Sequence, residues 1–204
     1  MRTSLAVALA IALGSFSLEL YASDRLELKA PSHWVDWTRI SDVPGNQFHY
    51  AEYVPANRKP GSLRDLISIT ITWGGSQAGA PLRMTGAWAK HLLTTCPGLS
   101  IGPPDPRTAG LFAVAYAQFY CPKRSDNGQG SVDYAKVMST DNSAYMVVVS
   151  QRTSSYRSDV PGMVQYENND ETDAFVEWLK VTNAYLRTSV RVCRATTASE
   201  ECSP

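Results

Sequence analysis

The chain has 204 residues, 44% of them hydrophobic, and its nineteen basic and nineteen acidic side chains leave no formal net charge. That balance, with no run of lysines or arginines, speaks against a nucleic-acid binder, which neutralises phosphates with a basic stripe. The length and the lack of a long linker fit one domain with a core of its own.

Residues 1–22 read as a signal peptide. Arg2 precedes an apolar run over 5–13, which is too short to span a bilayer and has the length of a leader's hydrophobic region. Tyr21-Ala22-Ser23 supplies a small-residue site, and cleavage is predicted after Ala22. The first cysteine is Cys96, so no lipid-bearing cysteine stands at the cleavage point, and no later run is apolar enough for a transmembrane span. The expected product is a single exported domain over 23–204, periplasmic or secreted, without lipid anchor.

Residues 25–29 alternate and predict a first strand. PSHWVDW follows, with Trp34 and Trp37 three apart in a turn, and both rings are candidates for a protein-binding platform. Residues 47–54, rich in aromatics, predict a second strand. The clearest signal lies over 66–73, where Ile67, Ile69, Ile71 and Trp73 alternate with Ser68, Thr70 and Thr72, the period of a half-buried strand. After a Gly-rich loop, Met84, Trp88 and Leu92, with Leu93 widening the stripe, predict a helix over 82–95 that Cys96-Pro97-Gly98 ends. A Pro-rich loop then leads to a strand over 111–121 with Ala113, Ala115 and Ala117 on one face. Residues 132–139 and 144–151 predict an antiparallel hairpin. A long polar loop over 152–169 precedes a last helix over 171–190, with Asp170 as its N-cap and Phe175, Trp178, Leu179, Thr182, Tyr185 and Leu186 on one face. Helices on a largely antiparallel sheet make an α+β fold, an α/β/α sandwich.

The four cysteines, Cys96, Cys121, Cys193 and Cys202, form an even set in an exported chain and read as disulfides. The favoured pairing is Cys96–Cys121 with Cys193–Cys202. Pro97 and Pro122 each end an element where a crosslink would pin it. No Cys-x-x-Cys or paired short spacing points to redox or zinc chemistry.

The element order and the turn from Pro31 to Trp34 resemble the Mog1/PsbP-like fold group, which opens with a short strand and a Pro-x-x-Trp turn and ends with a long helix across the sheet. Members of that group are mostly non-enzymatic accessory subunits, exported lipoproteins and partner-binding modules, so the resemblance implies binding rather than catalysis.

Catalytic, cofactor and metal sites are not predicted. His33, His49 and His91 are scattered, with neither an i, i+4 pair nor a His-x-His. Ser76 follows two glycines, but no base stands near it, and no Gly-x-Ser-x-Gly exists. Asp36 with Asp42 and Glu167 with Asp170 are carboxylate pairs without a visible cleft. Arg152, Tyr156 and Arg157 are residue types favoured at binding hot spots and sit in the long polar loop. The expectation is a non-catalytic exported module that binds another protein: a secretion-system or envelope accessory factor, or an immunity protein against a delivered toxin. A small-ligand or lipid carrier, with its cavity beside the alanine-faced strand, and a hydrolase without a recognisable motif are the alternatives.

Overall fold

The structure, a computed structural model, describes residues 15–19, 24–31, 36–56, 65–74, 79–109, 112–158, 164–195 and 200–203. In chain order its elements are β1 (Ser15–Glu19), β2 (Asp24–Lys29), β3 (Trp37–Pro44), β4 (Phe48–Pro55), β5 (Asp65–Trp73), α1 (Ala80–Leu93), β6 (Ser100–Ile101), β7 (Asp105–Ala109), β8 (Phe112–Cys121), β9 (Gly130–Ser139), β10 (Ser143–Thr153), α2 (Asn169–Thr188), β11 (Val190–Ala195) and β12 (Glu200–Cys202). Eight strands form an antiparallel sheet in the order β3-β4-β5-β10-β9-β8-β6, with β7 also on β8. A second antiparallel sheet has the order β1-β2-β11-β12. The expected α+β architecture is present, and the small second sheet is added to it.

Period-two patterning divides the core between the two faces of the large sheet. On one face Ile67, Ile69, Ile71, Val147 and Val149 meet Phe175, Trp178, Tyr185 and Leu186 of α2, together with Leu26, Leu28, Val190 and Val192 of the small sheet. On the other, Ala117, Phe119, Ala135, Val137 and Val148 meet Ala80, Met84, Ala89 and Leu92 of α1. Each large side chain buried this way contributes about 1.5–3 kcal/mol against exposure. The small side chains of Ala115 and Ala117 lie on the α1 side, so the alanine face receives a helix. Ala113, at the end of the same row, is exposed.

Local chemistry explains where the helices begin. α1 opens after Gly79, held at φ 70, and carries Pro81 in its first turn, where a missing N–H loses nothing. Leu93 does not widen the apolar stripe as expected, since it is 52% exposed. α2 is capped by Asn168, whose side-chain oxygen accepts from the Asp170 amide at 2.9 Å. The cap is therefore not Asp170, which lies in the first turn beside Glu171. The helix stops at Thr188 because Val190 already pairs with Leu28 as the start of β11.

Cys96 is bonded to Cys121 and Cys193 to Cys202. The first bridge ties the chain just past α1 to the end of β8. The second joins cross-strand neighbours of β11 and β12. Asp24 fastens the small sheet to the large one. It accepts from Arg194 at 2.5 and 2.9 Å and from the Thr140 hydroxyl, in the β9–β10 turn, at 2.7 Å. β1 falls inside the stretch read from sequence as a leader.

Candidate functional site

The end of β10 carries the best-defined surface feature. Past Thr153 the chain crosses Gly130 so closely that a Cβ there would lie 2.6 Å from the Ser154 carbonyl oxygen and 2.8 Å from the Tyr156 ring. Tyr156 then turns inward. It is 7% exposed, its hydroxyl donates to the Ser131 carbonyl at 3.0 Å, and its amide donates to the Pro122 carbonyl at 3.2 Å. Its ring begins an aromatic row that runs through Tyr166 and Phe175 to Trp178 at centroid spacings of 5.6, 5.7 and 6.0 Å. Tyr156, expected at a binding surface, is thus mostly buried and anchors the loop, while part of it lines the cleft beside Arg157.

Arg157 is exposed and exchanges two backbone hydrogen bonds of 3.0 Å with Gln165. Beside this bridge lies an open cleft of about 540 Å³ lined by Lys123, Ser155, Tyr156, Arg157, Gln165, Tyr166 and Glu167. A smaller pocket of about 120 Å³ adjoins it, with Arg152, Tyr166, Glu171 and Phe175 in its walls. The Ser154 hydroxyl donates to the Glu171 carboxylate across that second rim. Burial pushes the Tyr166 hydroxyl up to about 12, and its oxygen is enclosed instead of facing the cleft. Nearby Arg124 is occupied by a bidentate pair with Asp126 at 3.0 and 2.7 Å. The corner offers the cationic side chains of Lys123 and Arg157, with Glu167 beside them, on a backbone fixed from below, and its cations suit carboxylates and carbonyls of another molecule.

The other predicted positions do not join this corner. Trp37 is half-buried and packs on Tyr53, with ring centroids 4.8 Å apart, so it plugs the margin of the core. Trp34, His33 and Ser76 lie outside the described residues. His49 pairs with Asp42 at 2.5 Å, and this bond, more than the nearby Arg39, holds the Asp42 carboxyl below its usual range. His91 is exposed on α1 beside Trp88. Asp36 accepts from the Trp37 amide at 2.7 Å. Glu167 borders the cleft, whereas Asp170 is exposed in the first turn of α2. Among the described residues, the group whose ligand atoms converge is Glu27 with Cys193 and Cys202, and the disulfide occupies both sulfurs.

Two charged groups missed by sequence reasoning lie in β9, whose ten residues are all buried. Asp133 faces the α1 side, 3% exposed. Burial pushes its carboxyl up to about 6 against the opposing influence of Ser150, Arg124, Arg152 and Trp88. Lys136 faces the α2 side, donates to the Val190 carbonyl at 2.8 Å and lies 5.5 Å from the Tyr116 ring centroid. Burial lowers its ammonium to about 8. The polar residues of VDYAKV look like signs of an exposed face, and only the layer on each side reveals the burial. Also unforeseen are Ile40, Val43 and Phe48, 50, 46 and 43% exposed on the β3–β4 hairpin.

No helix among the described residues is long and apolar enough to cross a membrane. The two disulfides fit an extracellular or periplasmic protein. No protein-family model matches the chain, and no curated protein matches it.

Proposed function

We propose that this is an exported, non-catalytic protein-binding module, made with a leader over 1–22 and working in the periplasm or outside the cell. The observation that carries this reading is the corner at the end of β10. Arg157 and Lys123 border an open cleft whose floor is locked by the buried Tyr156. A cationic rim on a rigid backbone suits an acidic protein surface, because the backbone that carries the contacting side chains needs no ordering on binding. A secretion-system or envelope accessory factor, or an immunity protein that presents this corner to a delivered toxin, has the required chemistry. Kinship with the Mog1/PsbP-like group accords with the long helix packed on a mainly antiparallel sheet.

The test is affinity capture of the tagged mature protein from envelope and culture fluid, beside Arg152→Ala/Arg157→Ala. One stoichiometric partner, lost in the double variant while its circular dichroism and melting stay unchanged, supports the reading. A partner retained in full by the double variant places binding elsewhere. A co-purifying lipid or small molecule without any protein moves the function to a carrier.

A further inference from the structure

The small sheet contains a strand that export would remove. β1 pairs antiparallel along the whole of its length with β2: Phe16 stands opposite Leu28, Leu18 opposite Leu26, and Glu19 opposite Arg25. On its other side β2 is paired with β11 from Asp24 to Leu28. A leader cleaved after Ala22 takes β1 with it, and the outer edge of β2 then lies open. Unpaired N–H and C=O groups along such an edge are a template for another strand.

The other sheet edges are protected differently: at the β8 side β6 has two residues and β7 contains Pro106. β3 carries a register break between Arg39 and Ser41, ends in Pro44 and bears Arg39 and Asp42 paired at 3.0 Å. β12 is a three-residue strand crosslinked to its neighbour. In β2 there is neither a proline nor a register break, and its own charged pair, Arg25 with Glu27 at 2.6 Å, leaves Arg25 to be shared with an acidic residue of an incoming strand. Its inner row, Leu26 at 1% and Leu28 at 3% exposure, belongs to the main core, so a strand laid beside it extends that core.

We propose that the freed edge of β2 receives an extended strand from a partner protein. That strand runs antiparallel, with apolar residues two apart opposite Leu28 and Leu26 and an acidic residue opposite Arg25. β1 is the template for all three requirements. A second copy of this chain fits less well. A twofold pairing that sets Leu26 against Leu28 places Glu27 against its own copy and Arg25 against Lys29. A register that sets Leu26 against its own copy puts the buried Asp24, already bonded to Arg194, against Leu28, and one that sets Leu28 against its own copy matches Glu27 with Lys29 but leaves Leu26 against Ala30 instead of a large apolar residue. This inference rests on the export and cleavage of the proposed function, but not on the β10 corner.

The experiment starts from the full-length gene in an export-competent host. The N-terminus and intact mass of the exported protein are determined, and hydrogen exchange is followed with and without a peptide of residues 14–20, GSFSLEL. The expected result is a chain beginning at Ser23 whose alternate β2 amides slow at least tenfold on saturable peptide binding. A peptide with Glu19→Lys should bind several-fold more weakly and recover on protein carrying Arg25→Glu, a rescue that misfolding does not imitate. A chain beginning at Ser23 whose β2 amides ignore the peptide up to its solubility limit overturns the strand-docking inference and leaves the export reading standing. An exported chain that retains residues 1–22 overturns both. A mature dimer with β2 protected in the absence of peptide assigns the edge to a second copy and overturns the partner strand.

Discussion

Asp133→Asn should change stability in a way that depends on pH. In the folded protein the carboxyl titrates near 6, while in the unfolded chain it titrates near the ordinary aspartate value, about 3.9. Burial is the main cause, so the folded state disfavours the charged form. Well below pH 4 both states hold the proton and no penalty exists. As pH rises from about 4 to 6 the unfolded chain loses the proton more readily and stability falls. Above the folded value the loss is complete and constant. Two units at 1.36 kcal/mol each give about 3 kcal/mol in full, and about 2 kcal/mol of it develops between pH 4 and pH 7, because the unfolded carboxyl is already half ionised at pH 4. Asparagine has no such proton to lose. Urea unfolding of the mature, disulfide-intact protein at intervals from pH 4 to pH 8 measures the difference between variant and wild type. The variant should gain on the native protein by about 2 kcal/mol across that range, whatever constant offset its altered hydrogen bonds add. A difference that is flat with pH would refute the reasoning, since it would mean the carboxyl is as well solvated in the fold as in the unfolded chain.

Gly130→Ala should destabilise by about 1–3 kcal/mol in the same assay, because the new methyl meets the Ser154 carbonyl and the Tyr156 ring. Tyr156→Phe should lose about 1–2 kcal/mol by stranding the buried Ser131 carbonyl, and should speed exchange of the Tyr156 and Arg157 amides. Replacing Cys96 and Cys121 together by Ala should lower stability by about 3–4 kcal/mol, as expected for a bridge spanning 25 residues, with the loss read from the urea midpoint.

The strands over 24–29, 48–55, 65–73 and the β9–β10 hairpin are legible because each alternates or runs apolar over its full length. β3 and β7 are not. WTRISDVP mixes charge, proline and apolar residues without a period, since an edge strand with both faces near solvent needs none. β7 contains Pro106, and prolines just before it read as a loop. β11 and β12 are hidden for another reason: β11 pairs with β2 across nearly the whole chain, and Arg194 is matched to Asp24 with no local trace. Arg157 of the proposed corner is visible as a residue type. The inward turn of Tyr156 is not, because a tyrosine in a polar loop advertises a surface ring equally well. Lys123 gains its place only when Pro122 is brought under the loop by the Tyr156 amide.

The two proposed contact surfaces differ in how much order they require of a partner. At the β10 corner the loop is fixed from beneath by the Tyr156 hydroxyl, from the side by the Arg157–Gln165 bridge and along its length by the row of rings that ends at Trp178. Ordering of the binding side has been completed in folding, so a globular partner with a matching acidic face can dock rigidly, and electrostatic attraction should govern its on-rate. The β2 edge asks for the opposite kind of partner. A strand that joins it must become extended, and fixing each residue costs about 1–2 kcal/mol of backbone entropy. Ladder hydrogen bonds alone return too little, and the deficit has to come from apolar side chains laid beside Leu26 and Leu28. A short strand with only two apolar positions, as in β1, gives weak affinity by itself. A partner that uses both surfaces gains from tethering instead: a rigid domain at the corner raises the effective concentration of its own extended segment at β2. The dependence is directional. Arg157→Ala should then weaken the protection of β2 amides by the whole partner, yet leave protection by the isolated peptide unchanged.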